Sequence, residues 1–127
     1  MNYLINILCA FLEAHGIAPC YIADAPDIDA CTTVIPNAPQ AVGTLPIVAE
    51  IFQIVARDLA YQDVLDKNWA AYNALNISQV PDVFRACARR VLSIAVQTPP
   101  TYIGKDTTGT RHLSAFFVKI IVSEGGC

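Results

Sequence analysis

Three features of this 127-residue chain predict an α+β fold, a small mixed or antiparallel sheet of about four main strands flanked by two helices. Ile47–Ala56 is a long β-type run that leads through Arg57-Asp58 into an amphipathic helix over 60–75. Two further β-type runs follow, over 91–98 and Leu113–Ser123. An apolar segment of helical period precedes them all. Strands joined in sequence by short links favour antiparallel or mixed pairing with helices laid on the sheet. The length is that of one domain, 1–127.

Residues 2–15 repeat Leu4, Leu8, Phe11 and His15 at helical spacing, and Ile5 and Leu12 widen the stripe. Asn2 is the expected N-cap and Gly16 the expected stop. Such an apolar helix is expected to be covered on most of its surface. Pro19, Pro26, Pro36, Pro39 and Pro46 then break the chain into short extended pieces, Cys20–Ile22 and Cys31–Ile35. Proline removes a ladder donor, so these pieces read as edge strands joined by loops. The segment 37–43 reads as an exposed loop able to carry contacts in an assembly.

Ile47–Ala56 is apolar on both alternating faces apart from Glu50 and Gln53. That pattern predicts a central strand covered on both sides. In the following helix, Tyr61, Leu65, Trp69 and Tyr72 or Leu75 line one face, which reads as core packing. Asp58 is the expected N-cap, and Asp63–Lys67 an i,i+4 ion pair. Leu92, Ile94 and Val96 alternate with Ser93, Ala95 and Gln97, as in a half-exposed strand. Pro99-Pro100 ends it, Gly104–Gly109 forms a polar turn region, and Leu113–Ser123 returns as the second arm of a long-looped hairpin. Gly125-Gly126-Cys127 reads as a frayed tail.

Composition narrows the classes of function. Hydrophobic residues make up 54% and charged residues 15%, so apolar surface is left over for partners. The net charge is −3 and the basic residues are scattered, with Arg85, Arg89 and Arg90 as the one cluster, which is no footprint for nucleic acid. Five cysteines without a CxxC spacing make no zinc framework. They read as reduced thiols, with Cys9 and Cys87 in the core; Cys20 and Cys31 could meet across a hairpin. The N-terminal apolar stretch lacks a basic n-region and carries Glu13 where cleavage would occur. No segment is long enough to span a bilayer, so a cytoplasmic product without membrane partners is expected.

No chemistry-bearing constellation appears. His15 and His112 have no acid or second histidine at a matching spacing. Asp24, Asp27 and Asp29 lack the glycine and the terminal glutamate of a calcium loop. There is no phosphate-cradling glycine motif, and Ser78, Ser93, Ser114 and Ser123 stand in no nucleophile elbow. The expectation is no catalytic, cofactor-binding or metal residue, and no enzyme. A small α+β ligand-binding or enzyme domain with the Trp69/Tyr72 face lining a pocket is the alternative from another class.

Two stretches carry a resemblance: IFQIVARDLAYQDVLDKNWAAYNAL and VQTPPTYIGKDTTGTRHLSAFFVKIIV. In both, the order of motifs resembles the tail-terminator and tail-completion (minor capsid) proteins of tailed bacteriophages. In that family a long strand ends in an Arg-Asp-like turn, here Arg57-Asp58. A helix ending in an aromatic-x-x-Leu element follows, here Tyr72-Asn73-Ala74-Leu75. A strand then runs into a proline pair, here Pro99-Pro100, and a glycine-aspartate loop, here Gly104-Lys105-Asp106, before a closing strand. The match covers about residues 45–122. A glycine pair expected before the long strand is here Val42-Gly43-Thr44.

The resemblance implies a virion protein of the tail or neck, assembled in the host cytoplasm. Such a protein forms a homo-oligomeric ring, a hexamer in expectation. The ring caps the tail tube, ends its polymerisation and joins it to the head connector, with DNA at most passing through the lumen. Its partners are other copies, the tail tube protein and the connector; a head-completion adaptor differs only in partner. The positions expected at subunit or partner contacts are Arg57, Asp58, Arg89, Arg90, Lys105 and Asp106.

Overall fold

The computed structural model describes residues 3–43, 46–86 and 90–123. Asn2, Thr44, Leu45, Cys87, Arg89 and the 124–127 tail, each given a role above, lie outside the described residues. In chain order the elements are α1 (Leu4–Ala14), β1 (Cys20–Ile22), β2 (Cys31–Pro36), β3 (Gln40–Ala41), β4 (Ile47–Asp58) and α2 (Tyr61–Leu75). A short 3-10 helix (Asp82–Ala86) follows, then β5 (Val91–Val96), β6 (Thr101–Lys105) and β7 (His112–Ser123). The α+β class is as expected, but the single sheet has seven strands where about four main ones were predicted.

Two long strands organise the sheet. β4 and β7 pair antiparallel along their whole length, from Ile47↔Ser123 to Asp58↔His112. β2 and then β3 share the free edge of β4, and β5 and then β6 share the free edge of β7. β1 adds parallel to β2. The sheet is therefore mixed, and its order is β1-β2-β4-β7-β5. Two expectations change here. β2, read as an edge strand, is interior, because β1 covers its outer side. Thr101–Lys105, read as part of a long loop, is strand β6, so the hairpin turn shrinks to Asp106–Arg111.

The cross-sheet register shows where the helices lie. Cys20, Thr32, Ala56 and Ser114 are successive Cα partners across β1, β2, β4 and β7, so their side chains share one face. Cys20 packs against the core and hydrogen-bonds Cys9 of α1. Ser114 Oγ accepts a 3.0 Å hydrogen bond from Asn68 Nδ2 of α2. Both helices therefore cover the same face. Their core joins Leu8, Leu12, Leu75 and Phe84 to Val34, Ile54, Phe116 and Ile120, all fully buried, with Val34 and Ile54 direct partners across β2 and β4. The strand β4 is central, as predicted, but helices cover only one of its faces. On the other, Gln53 and Val55 are half-buried. The apolar alternation of Ile47–Ala56 arises from sheet neighbours on that side as much as from a covering layer.

Gly16, at φ +84, follows α1 in the left-handed region, and the Ile17 N–H bonds back to the Leu12 carbonyl. That is the stop read from sequence, since glycine has no Cβ to clash there. Cys9 is buried in the core as expected, and Cys9, Cys20 and Cys31 are free thiols. Cys20 meets Cys9, not Cys31. The Cys9 contact and burial push the Cys20 thiol well above its usual range, so it stays protonated.

Candidate assembly surface

The Arg57-Asp58 turn is built from internal contacts. α2 begins at Tyr61 with Ala60 at its N-cap, so Asp58 is not the cap. Its Oδ1 instead accepts from the Leu59 N–H at 2.7 Å, and its Oδ2 pairs with Lys67 Nζ at 3.1 Å. Lys67 also donates to the Arg57 carbonyl at 3.2 Å. The expected Asp63–Lys67 pair gives way to this one because Asp58 lies nearer the sheet, where Lys67 can also reach a carbonyl. Arg57 Nη2 donates to the Pro26 carbonyl at 2.6 Å and holds the 23–30 loop against the β4 end.

A second clasp anchors the same loop from the β6–β7 turn. Arg111 Nη1 pairs with Asp27 at 2.6 Å and Arg111 Nε with Asp29 at 3.1 Å. Asp106 lies 3.8 Å from Arg111 Nη1 and accepts from the Thr108 hydroxyl at 2.6 Å. That hydroxyl first, and the Arg111 backbone and charge after it, hold the Asp106 carboxyl below its ordinary range. A carboxylate with a depressed folded value stabilises the fold above its unfolded value, about pH 4, and that contribution fades as pH falls through the folded value. Acidification through that range should loosen the Asp106–Arg111 turn. Arg111→Gln removes the contacts to Asp27 and Asp29 and should speed proteolysis and hydrogen exchange of the 23–30 loop at neutral pH. Equal protection of the loop in both proteins at pH 7 would show that the clasp does not hold it.

Of the contact positions expected from sequence, Arg57, Asp58 and Asp106 are thus engaged within the chain, while Arg90 and Lys105 are exposed near the β5–β6 edge. Sequence reasoning missed Arg111 because its partners, Asp27 and Asp29, are distant in the chain and meet it only through the loop's return to β2.

The aromatic stripe of α2 also lies elsewhere than predicted. The buried stripe is Val64, Asn68, Ala71 and Leu75. Tyr61 and Trp69, expected in the core, are 49% and 42% exposed, so they form a ridge on the flank of the helix. Tyr61 stacks edge-on against Tyr102 of β6 at 4.9 Å, and Trp69 against Tyr72 at 5.2 Å. Tyr72 in turn meets Phe116 at 5.7 Å. The ridge therefore overhangs the β5–β6 edge, where Leu92 and Ile103 are also exposed. The Tyr102 hydroxyl and His112 Nδ1, 2.8 Å apart, fix the base of the ridge. Elsewhere, Tyr3 at the N-cap of α1, Ile22 of β1 and Val83 of the 3-10 helix are exposed, and α1 packs on both β1 and the 3-10 helix.

Among the described residues no group of three or more His, Cys, Asp or Glu is placed to hold a metal ion, and no helix is long and apolar enough to cross a membrane. What the surface presents is contact area: an aromatic ridge, exposed charges beside it, and exposed apolar residues at the far edge.

No family model and no curated protein matches the chain. Among solved structures, a chain in the virion of a native gene transfer agent (GTA) particle is similar, with 13% identity and a TM-score of 0.63 over 88% of this chain and 84% of that one. At that identity the likeness is one of fold, and it spans nearly the whole of both chains.

Proposed function

We propose that this chain is a structural protein of a phage-like particle that acts by assembly at the head–tail junction. In this reading its copies form a ring that caps the tail tube, ends its growth and meets the head connector. The observation that carries it is the shared fold with a chain of a virion particle, over 88% of the length. Two further features support it. The motif order resembles tail-terminator proteins, and several large hydrophobics, Tyr61, Trp69, Leu92 and Ile103 among them, are exposed. Arg90, beside Ser123, and Lys105, opposite His112, are exposed at the two ends of β7 and are the expected contact positions left free to meet a neighbour.

Light scattering on size-exclusion fractions over a range of concentrations should give a mass of several subunits. Mass spectrometry should find the chain in particles purified from cells that make it. A chain that is monomeric at every concentration and absent from particles would overturn this function.

A further inference from the structure

We propose that Cys9 and Cys20 form an oxidation site that a peroxide closes into a disulfide, bonding α1 to the edge strand β1. The site is independent of the assembly role above and can fail without touching it. Cys9 lies midway along α1, 5% exposed in the core. Cys20 opens β1, the outermost strand at one edge of the sheet, and is half-buried against the same core. The helix packs on the strand, and the two thiols are in hydrogen-bond contact. The stop at Gly16 turns the chain back between them, with the Ile17 N–H on the Leu12 carbonyl. Cys31 is not the partner: Thr32 stands beside Cys20 in the register, and successive strand residues face opposite sides.

The two thiols are unequal, and each suits one half of the reaction. The thiolate is the reactive form of cysteine. The hydrogen bond from Cys20 lowers the Cys9 thiol from its ordinary range, against burial and the Glu13 charge. Cys20, raised by that same bond and by burial, stays a thiol. The Cys9 thiolate attacks one oxygen of hydrogen peroxide and the O–O bond breaks. Cys9 becomes a sulfenic acid, and the departing hydroxide takes up the proton that Cys9 had released. The Cys20 sulfur then attacks the Cys9 sulfur and the S–O bond breaks. The leaving hydroxide carries off the Cys20 proton as water. Two electrons pass from the sulfurs to the peroxide, and two waters form. A low-pKa thiol beside a resolving cysteine is the arrangement this chemistry needs.

The bond would change how α1 is held. The helix has no side-chain hydrogen bond at its N-cap and keeps its place by packing on β1, β2 and the 3-10 helix. A covalent tie to β1 removes freedom from the unfolded chain and should raise the thermal midpoint by about 5–10 °C. It should also slow hydrogen exchange along α1.

The test treats the full chain with hydrogen peroxide, blocks remaining thiols with iodoacetamide and maps peptides by mass spectrometry. Cleavage after Glu13 and before Asp24 separates Cys9, Cys20 and Cys31 from one another. Peptides 1–13 and 14–23 should be joined, and dithiothreitol should part them and reverse the rise in midpoint. Cys31→Ser should leave both results unchanged. In Cys20→Ser, at a half-buried position, the sulfenic acid has no resolving thiol, so dimedone should label Cys9. Circular dichroism melts show whether each variant folds, and the wild-type map decides the pairing without them. A wild-type chain in which Cys9 and Cys20 are both alkylated after peroxide, or in which either is joined to another cysteine instead, would overturn the proposal. Dimedone on a cysteine other than Cys9 in folded Cys20→Ser would overturn the assignment of Cys9 as the attacking group.

Discussion

Phe116→Ala should lower the unfolding free energy by about 3–5 kcal/mol, the usual cost of truncating a fully buried phenylalanine. Phe116 has no solvent exposure and lies near the middle of β7, opposite Ile54 of β4. It also takes the edge contact of Tyr72 from α2. Truncation therefore opens a cavity where the helix layer meets the sheet's two central strands. Domains of this size are stable by about 5–15 kcal/mol, so the variant should keep its fold with a much lower denaturation midpoint. Urea unfolding followed by circular dichroism measures this. A loss under about 1 kcal/mol would mean that the site collapses around the missing ring and that Phe116 is not the keystone of the layer contact.

The second large effect concerns the polar pair inside that same layer. Asn68 and Ser114 are fully buried, and Asn68 Oδ1 has no hydrogen-bond partner while Nδ2 donates to Ser114. Ser114→Ala removes the acceptor and leaves the Asn68 amide wholly unsatisfied, which should cost about 1–3 kcal/mol. Replacing both residues together, as Asn68→Leu with Ser114→Ala, removes the desolvated polar groups instead of stranding one. The double variant should be close to wild type or more stable. A double-variant cycle by urea unfolding yields the coupling directly. Additive losses in the double variant would show that the pair contributes net stability, contrary to this expectation.

Much of the fold is legible in local pattern. The boundaries of α1 and α2 and the run of β4 follow from periodicity and from Gly16. The strands 91–96 and 112–123 follow from alternation. What the pattern misplaced depends on partners remote in sequence. Thr101–Lys105 carries little strand signal of its own and becomes strand because β7 continues past β5 and offers a free edge. Cys31–Pro36 reads as an edge because of its prolines, yet β1 arrives to pair with it from beyond the 23–30 loop. For the contact positions, the motif resemblance pointed to Arg57, Asp58 and Asp106, whose charges are satisfied internally by Pro26, Lys67 and Thr108 with Arg111.

The sequence by itself determined the α+β class, the placement of both helices and the surplus of apolar residues over what one small core can hold. Periodicity and composition are local quantities, and they survive without knowledge of the fold. Only the tertiary structure decided which flank of α2 meets the sheet. Two stripes compete on that helix, the larger and more apolar Tyr61–Leu65–Trp69 and the smaller Val64–Asn68–Ala71–Leu75. The smaller one is buried, because Ser114 offers Asn68 a partner and small side chains let the helix approach the packed β4–β7 surface closely. The bulky aromatics are displaced to the flank, where they become the surface most suited to a neighbour.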